Sequence, residues 1–234
     1  MLKKIVLLLL LMLLAIDGAW AYEGGAVSNG GEIKGRVKVS GEIPKDPTVE
    51  VTKDPQHCGK TLPREKYVIS ADGGVQWTAV FIDGIAKGKP APKEDIPVAN
   101  KMCQFHPHVQ VGMTGQTVDV KNEDPMLHNT HMRFNKLTVF NSALPRQGMT
   151  IKRAINKTGL VDIQCDAHTF MHGFLYLADN PYITVTDAQG RFSIKDVPAG
   201  TYKLKFWHEA FGEQEKTVTV TAGGAAEVNI EFGK

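Results

Sequence analysis

The sequence predicts an all-β protein made of β-sandwiches. Short runs of alternating apolar and polar residues, bounded by Gly, Asn, Asp and Pro, recur along the chain, whereas helical periodicity is scarce. The composition is that of an ordinary globular protein, with 42% hydrophobic, 22% charged and 8% aromatic residues over 234 positions. Disorder and collagen-like repeats are thereby excluded. The number and spacing of the candidate strands suit sandwiches rather than one open sheet.

The candidate strands are 32–39, 75–83, 109–111, 117–122, 148–155, 159–165, 173–178, 182–186, 191–195, 201–208, 217–221 and 226–232. Upstream of them all, Lys3 and Lys4 precede an apolar run, and Ala19-Trp20-Ala21 has the small-x-small form of a cleavage site. Residues 1–21 therefore read as a secretory signal peptide, because the run is shorter than the ~20 residues of a bilayer span. The expected mature chain, 22–234, works in the periplasm or outside the cell, where disulfides persist. Its charge falls from +2 to about +1, which argues against nucleic-acid binding. A Pro/Gly/Lys-rich stretch at 86–97 reads as a surface linker, and Asp179-Asn180-Pro181 marks a second boundary. The expected organisation is an N-terminal β flank (22–98), a histidine-bearing central domain (99–180) and a small C-terminal β-sandwich (181–234), with the two flanks expected to pair.

The chemistry concentrates in Cys165-Asp166-Ala167-His168-Thr169-Phe170-Met171, between two candidate strands. A tight loop can turn a thiolate, an imidazole and a thioether toward one point, where a straight strand would send neighbours to opposite faces. Thiolate and thioether favour Cu(I), and imidazole accepts both copper states. The trigonal electron-transfer copper site needs a second His, and His128, after the strand 117–122, is the candidate. Zinc ligation and chance clustering are the competing readings.

These residues resemble the copper loop of the cupredoxins (type 1 blue copper proteins), most closely its short amicyanin-type form; the wider likeness is to plastocyanin. The resemblance covers approximately 102–178, about a third of the chain, and includes Gly159, His128-Asn129-x-His131 and Gly115-Gln116-Thr117-Val118. It implies a cupredoxin Greek-key sandwich holding one copper per chain. His128, Cys165 and His168 become the strong ligands, Met171 the axial one, and Asn129 the tie between the two ligand loops. A second resemblance links Asp187-Ala188-Gln189-Gly190-Arg191-Phe192 and Val197-Pro198-Ala199-Gly200-Thr201-Tyr202 to the carboxypeptidase regulatory-like (transthyretin-like) sandwich. Such a module opens on a strand like Gly31-Glu32-Ile33-Lys34-Gly35-Arg36-Val37. Insertion of the cupredoxin into that sandwich, with the flanks paired, is the arrangement expected.

Cys58 and Cys103 are expected to form a disulfide, leaving Cys165 free. The rival reading groups His57, Cys58, Cys103, His106 and His108 into a second metal site, with His106 and His108 on one strand face. His131 is expected to be packed or superficial, His172 close to the ligands without joining them, and His208 structural. A closed site of this kind implies a non-enzymatic carrier of single electrons, and His168 is the expected electron portal. Pro125, Met126, Leu127 and Phe170 would form an apolar rim for brief docking of a cytochrome or dehydrogenase. The alternatives are a copper storage or delivery module, a surface-interaction module, and an enzyme with an open metal site at His106 and His108.

Overall fold

The computed structural model describes residues 22–233, so the expected leader lies outside the described residues. The described chain is almost entirely β, interrupted by one helical turn, Pro55–Cys58. None of its helices is long and apolar enough to cross a membrane.

Two sheets enclose one core. The first runs Thr150–Ala154, Thr117–Asn122, Ile96–Lys101, Gln104–His106, with the middle pair parallel. The second runs Leu137–Leu144, His128–Phe134, Gly159–Gln164, His172–Ala178, Val109–Met113, antiparallel except for the last pair. Side chains of a strand alternate between its faces, and three strands show how this builds the interior. Val161 and Ile163 point inward and Cys165 continues their row; Val118 and Val120 lead to Asn122; Ile96 and Val98 lead to Asn100. Each fully buried Val or Ile contributes roughly 1.5–3 kcal/mol. The polar residue at the end of each row is what needs a partner.

The other two sheets form the flanking sandwich. One runs Ile183–Val185, Ala79–Asp83, Gly200–His208, Gly212–Val220, all antiparallel. The other places Gly31–Val39 against Arg191–Val197 on one side and against Ala225–Glu227 and Ile230–Phe232 on the other. N- and C-terminal strands thus share one sheet, and Ile33, Val37, Tyr182, Phe206 and Phe232 fill its core. Gly35 sits where a side chain would collide with the Val228 carbonyl, so the close crossing there requires glycine. Ala79, Val109, Phe174 and Trp207 pack the two sandwiches together, and a part-buried His108–Glu209 pair bridges them.

Several local expectations need correction. The stretch 86–97 is exposed over most of its length but is anchored at both ends. Lys87–Gly88 pairs with Glu23–Gly24, and Ile96 opens a core strand. His128 starts a strand instead of ending a loop, and Leu137–Leu144 is a strand the alternation did not reveal. The strand Gln104–His106 stops before Pro107, which has no N–H to donate, so His106 and His108 do not share a strand face.

Candidate metal centre

His128, Cys165 and His168 converge at one end of the central sandwich, with their ligand atoms all within 4.8 Å of one another. The Nδ1 atom of each imidazole lies 3.9 Å from the Cys165 sulfur, and the two rings are 4.6 Å apart centre to centre. Met171 is buried in the same apolar cluster as Cys165, and its amide donates to the His168 carbonyl at 2.9 Å, closing the loop into a turn. All four side chains belong to residues at most 2% exposed.

Asn129 ties the two ligand-bearing segments. Its Oδ1 accepts from the Asp166 and Ala167 amides at 2.6 and 3.1 Å, and its own amide donates to the Cys165 sulfur at 3.4 Å. Beneath them, Asn122 donates to the Met126 and Leu144 carbonyls and accepts from the Asp124 amide; Asn100 donates to Thr130. The polar ends of the inward rows thus form the floor of the centre, fully hydrogen-bonded as buried polar groups must be.

Both imidazoles turn their far nitrogen onto a carboxylate. His128 Nε2 donates to Asp124 at 2.9 Å, and His168 Nε2 donates to Asp54 at 2.8 Å. A carboxylate at Nε2 selects the tautomer whose lone pair is on Nδ1, the form a metal requires. The surroundings push the same way. Burial lowers the pKa of His128 despite the opposing Asp124 hydrogen bond, favouring the neutral ring. Burial raises that of the Cys165 thiol, against donation from the Asn129, His168 and Ala167 amides. Burial also opposes ionisation of Asp124, but the Cys103 and Met102 amides, His57 and His128 together hold it below the usual carboxylate range. The His168 hydrogen bond lowers that of Asp54. A sulfur that becomes a soft anion, two oriented imidazoles and a neighbouring thioether suit copper, and deprotonation of the thiol accompanies metal binding.

The remaining candidates go elsewhere. Cys58 and Cys103 are joined in a disulfide, so the nearby group of His57, Cys103 and Asp124 offers no thiolate; His57 Nε2 donates to Asp124 at 3.2 Å instead. Cys165 is the free cysteine. His108 is engaged by Glu209 and stands apart from the groups that converge. His131 hydrogen-bonds Asp166 and Thr138, His172 lies between Asp162 and Arg64, and His208 is buried and stacked on Phe211. The His168 ring edge expected near the surface is buried: the residue is 1% exposed and Asp54 covers its outer nitrogen, while Phe170 is also buried. Pro125 and Leu127 remain exposed and Met126 half-buried. Asp54 and Asp124 were not singled out by the sequence, and the one available signal was the placing of Asp54 four residues before a bridged cysteine.

Comparison with known proteins adds two findings. Residues 179–233 match the model of the carboxypeptidase regulatory-like domain. No match was found among curated proteins. Among solved structures, a purple cupredoxin from Nitrosopumilus maritimus is 20% identical, covering 36% of this chain and all of that one at a TM-score of 0.32. A reduced amicyanin variant is 19% identical over 37% of this chain and 85% of that one, with a TM-score of 0.33. A copper-containing nitrite reductase from Thermus scotoductus is 19% identical over 41% of this chain and 25% of that one, with a TM-score of 0.32.

Proposed function

We propose that this chain is a periplasmic or secreted type 1 copper protein that passes single electrons between redox partners. His128, Cys165 and His168 would hold one copper as its strong ligands, with the Met171 thioether as the weak fourth donor. The observation that carries the reading is the pair of Nδ1 atoms facing one buried sulfur, each 3.9 Å from it.

Copper, when bound, supplies a one-electron couple. The chain's own residues do the rest. Asn129 holds the 128 and 165–168 segments in fixed relation, so the ligand frame stays put whichever charge the site carries. Burial of all four side chains keeps the centre away from bulk water, which supports a carrier over a catalyst, since a catalytic metal keeps a position open to water or substrate. The same burial disfavours copper delivery, since a recipient must reach the ligands. With His168 covered, the edge next to His128, where Pro125 and Leu127 are exposed and Met126 is half-buried, becomes the docking face for a cytochrome or dehydrogenase. Its small size suits a brief encounter.

Adding Cu(II) to the mature protein should produce an intense visible Cu(II)–thiolate band and one copper per chain. Cys165→Ser should abolish the band. A band that survives in Cys165→Ser removes the ligand assignment.

A further inference from the structure

The carboxylates behind the two imidazoles belong to a single cross-linked unit. Residues 48–63 leave the flank and fold over the ligand loop as a small hairpin, Thr48–Glu50 against Thr61–Pro63, around the helical turn Pro55–Cys58. Val49, Val51 and Leu62 pack against the cluster that holds Cys165 and Met171. Just beyond, Arg64 reaches the Phe170 carbonyl at 3.4 Å and His172 Nδ1 at 3.0 Å. Asp54 sits at the head of the turn in a left-handed conformation, φ 54°, and its carbonyl accepts from the His57 and Cys58 amides. Its side chain is thereby aimed at His168, 114 residues along the chain.

Cys58 closes the same turn and is bonded to Cys103. The Cys103 amide donates to Asp124 at 2.9 Å and the Met102 amide does so at 2.8 Å. His57, beside Cys58, donates to Asp124 as well. One covalent link therefore fixes the segment carrying Asp54 to the turn that holds Asp124. We propose that this unit is a clamp for the metal centre, in which Asp54 and Asp124 are the positioning residues that orient both imidazoles with Nδ1 toward Cys165. The inference rests on reading the centre as a metal site.

The clamp acts before any metal arrives. In its presence the two rings are held in the ligating tautomer, so binding does not have to order them. Asp54 also places a negative charge behind His168, which favours Cu(II) over Cu(I).

The test uses the full mature protein without metal, read by long-range proton–nitrogen NMR of the imidazoles, followed by Cu(II) competition against a chelator. In the wild type both His128 and His168 should be the Nε2–H tautomer. Asp54→Ala should release His168 into mixed tautomers, leave His128 unchanged, weaken Cu(II) binding 10- to 100-fold, as loss of such partners typically does, and raise the reduction potential. Asp54→Asn, which keeps an acceptor, should restore the His168 tautomer but not the wild-type potential. Cys58→Ser combined with Cys103→Ser should loosen both rings. Unchanged His168 tautomer and Cu(II) affinity in Asp54→Ala would overturn the clamp. Asp54 is partly exposed, so this variant is expected to fold. A wild-type chain that binds no copper would sink the proposed function, while the metal-free spectra would still decide the clamp.

Discussion

The two sandwiches differ in what their buried polar side chains add to ordinary bonds with the backbone. In the flanking sandwich they serve the backbone. Asn180 donates to the Ile82 carbonyl and accepts from the Tyr182 amide; Thr186 donates to the Val75 carbonyl and accepts from the Thr78 amide. Such side chain to backbone bonds are what a structural interior ordinarily contains. In the central sandwich, Asn100, Asn122, Asp124, His128, Asn129, Thr130 and His168 gather at one end, and many of their bonds run from side chain to side chain. The difference teaches where to look for function in an all-β chain: buried polar groups bonded to backbone occur in both interiors, and the bonds from side chain to side chain, such as His128–Asp124 and His168–Asp54, mark the candidate site.

The comparison is sharpened first by core truncation. Phe206 is fully buried in the flanking core, so Phe206→Ala should cost about 3–5 kcal/mol in denaturant unfolding. Cu(II) affinity of the folded fraction should stay at the wild-type value. A matching loss of affinity would show that the two regions are not separable.

The second test is acid. Burial lowers the pKa of His208 to about 4, against the opposing field of Glu209. The unfolded chain binds a proton near pH 6.5 that the folded chain refuses until about pH 4. Between those values the unfolded state holds more protons, so stability falls as pH drops. The contribution is on the order of 3 kcal/mol. Chemical unfolding at pH 7 and pH 4.5 should show it, and His208→Gln should flatten the slope; an unaltered slope would contradict the assignment.

Asn129 and Asn180 offer a matched pair. Each bridges a loop with one amide side chain, and removing either leaves buried partners unsatisfied, at a cost of about 1–3 kcal/mol. Asn129→Ala should also weaken Cu(II) binding, whereas Asn180→Ala should lose stability alone. Equal effects on copper would erase the distinction between the two interiors. The smallest change is Met171→Leu, which keeps volume and should cost under about 1.5 kcal/mol while leaving the colour and raising the reduction potential.

The strands 117–122 and 159–165 were legible because Val118, Val120, Val161 and Ile163 alternate cleanly with polar residues. The strand His128–Phe134 was not. Its first five residues are all buried, three of them His or Asn, so it shows no alternation and little apolar character. The convergence of Cys165, His168 and His128 could be anticipated from the chemistry of the ligand types. The exposure expected of His168 does not hold, because its cover comes from residues 48–63. That cover depends on the Cys58–Cys103 disulfide, which the cysteine count foretold, and on a left-handed turn at Asp54, which leaves no periodic trace. Local patterning reveals elements; it carries no information about which distant segment lies over them.

The ligand set is tested most directly by the atoms that surround added copper. A copper-edge X-ray absorption spectrum of the protein loaded with one equivalent of Cu(II) should show one strongly bound sulfur and two imidazole nitrogens, and Cys165→Ser should remove the sulfur. A first shell of nitrogen and oxygen alone in the wild type would contradict it.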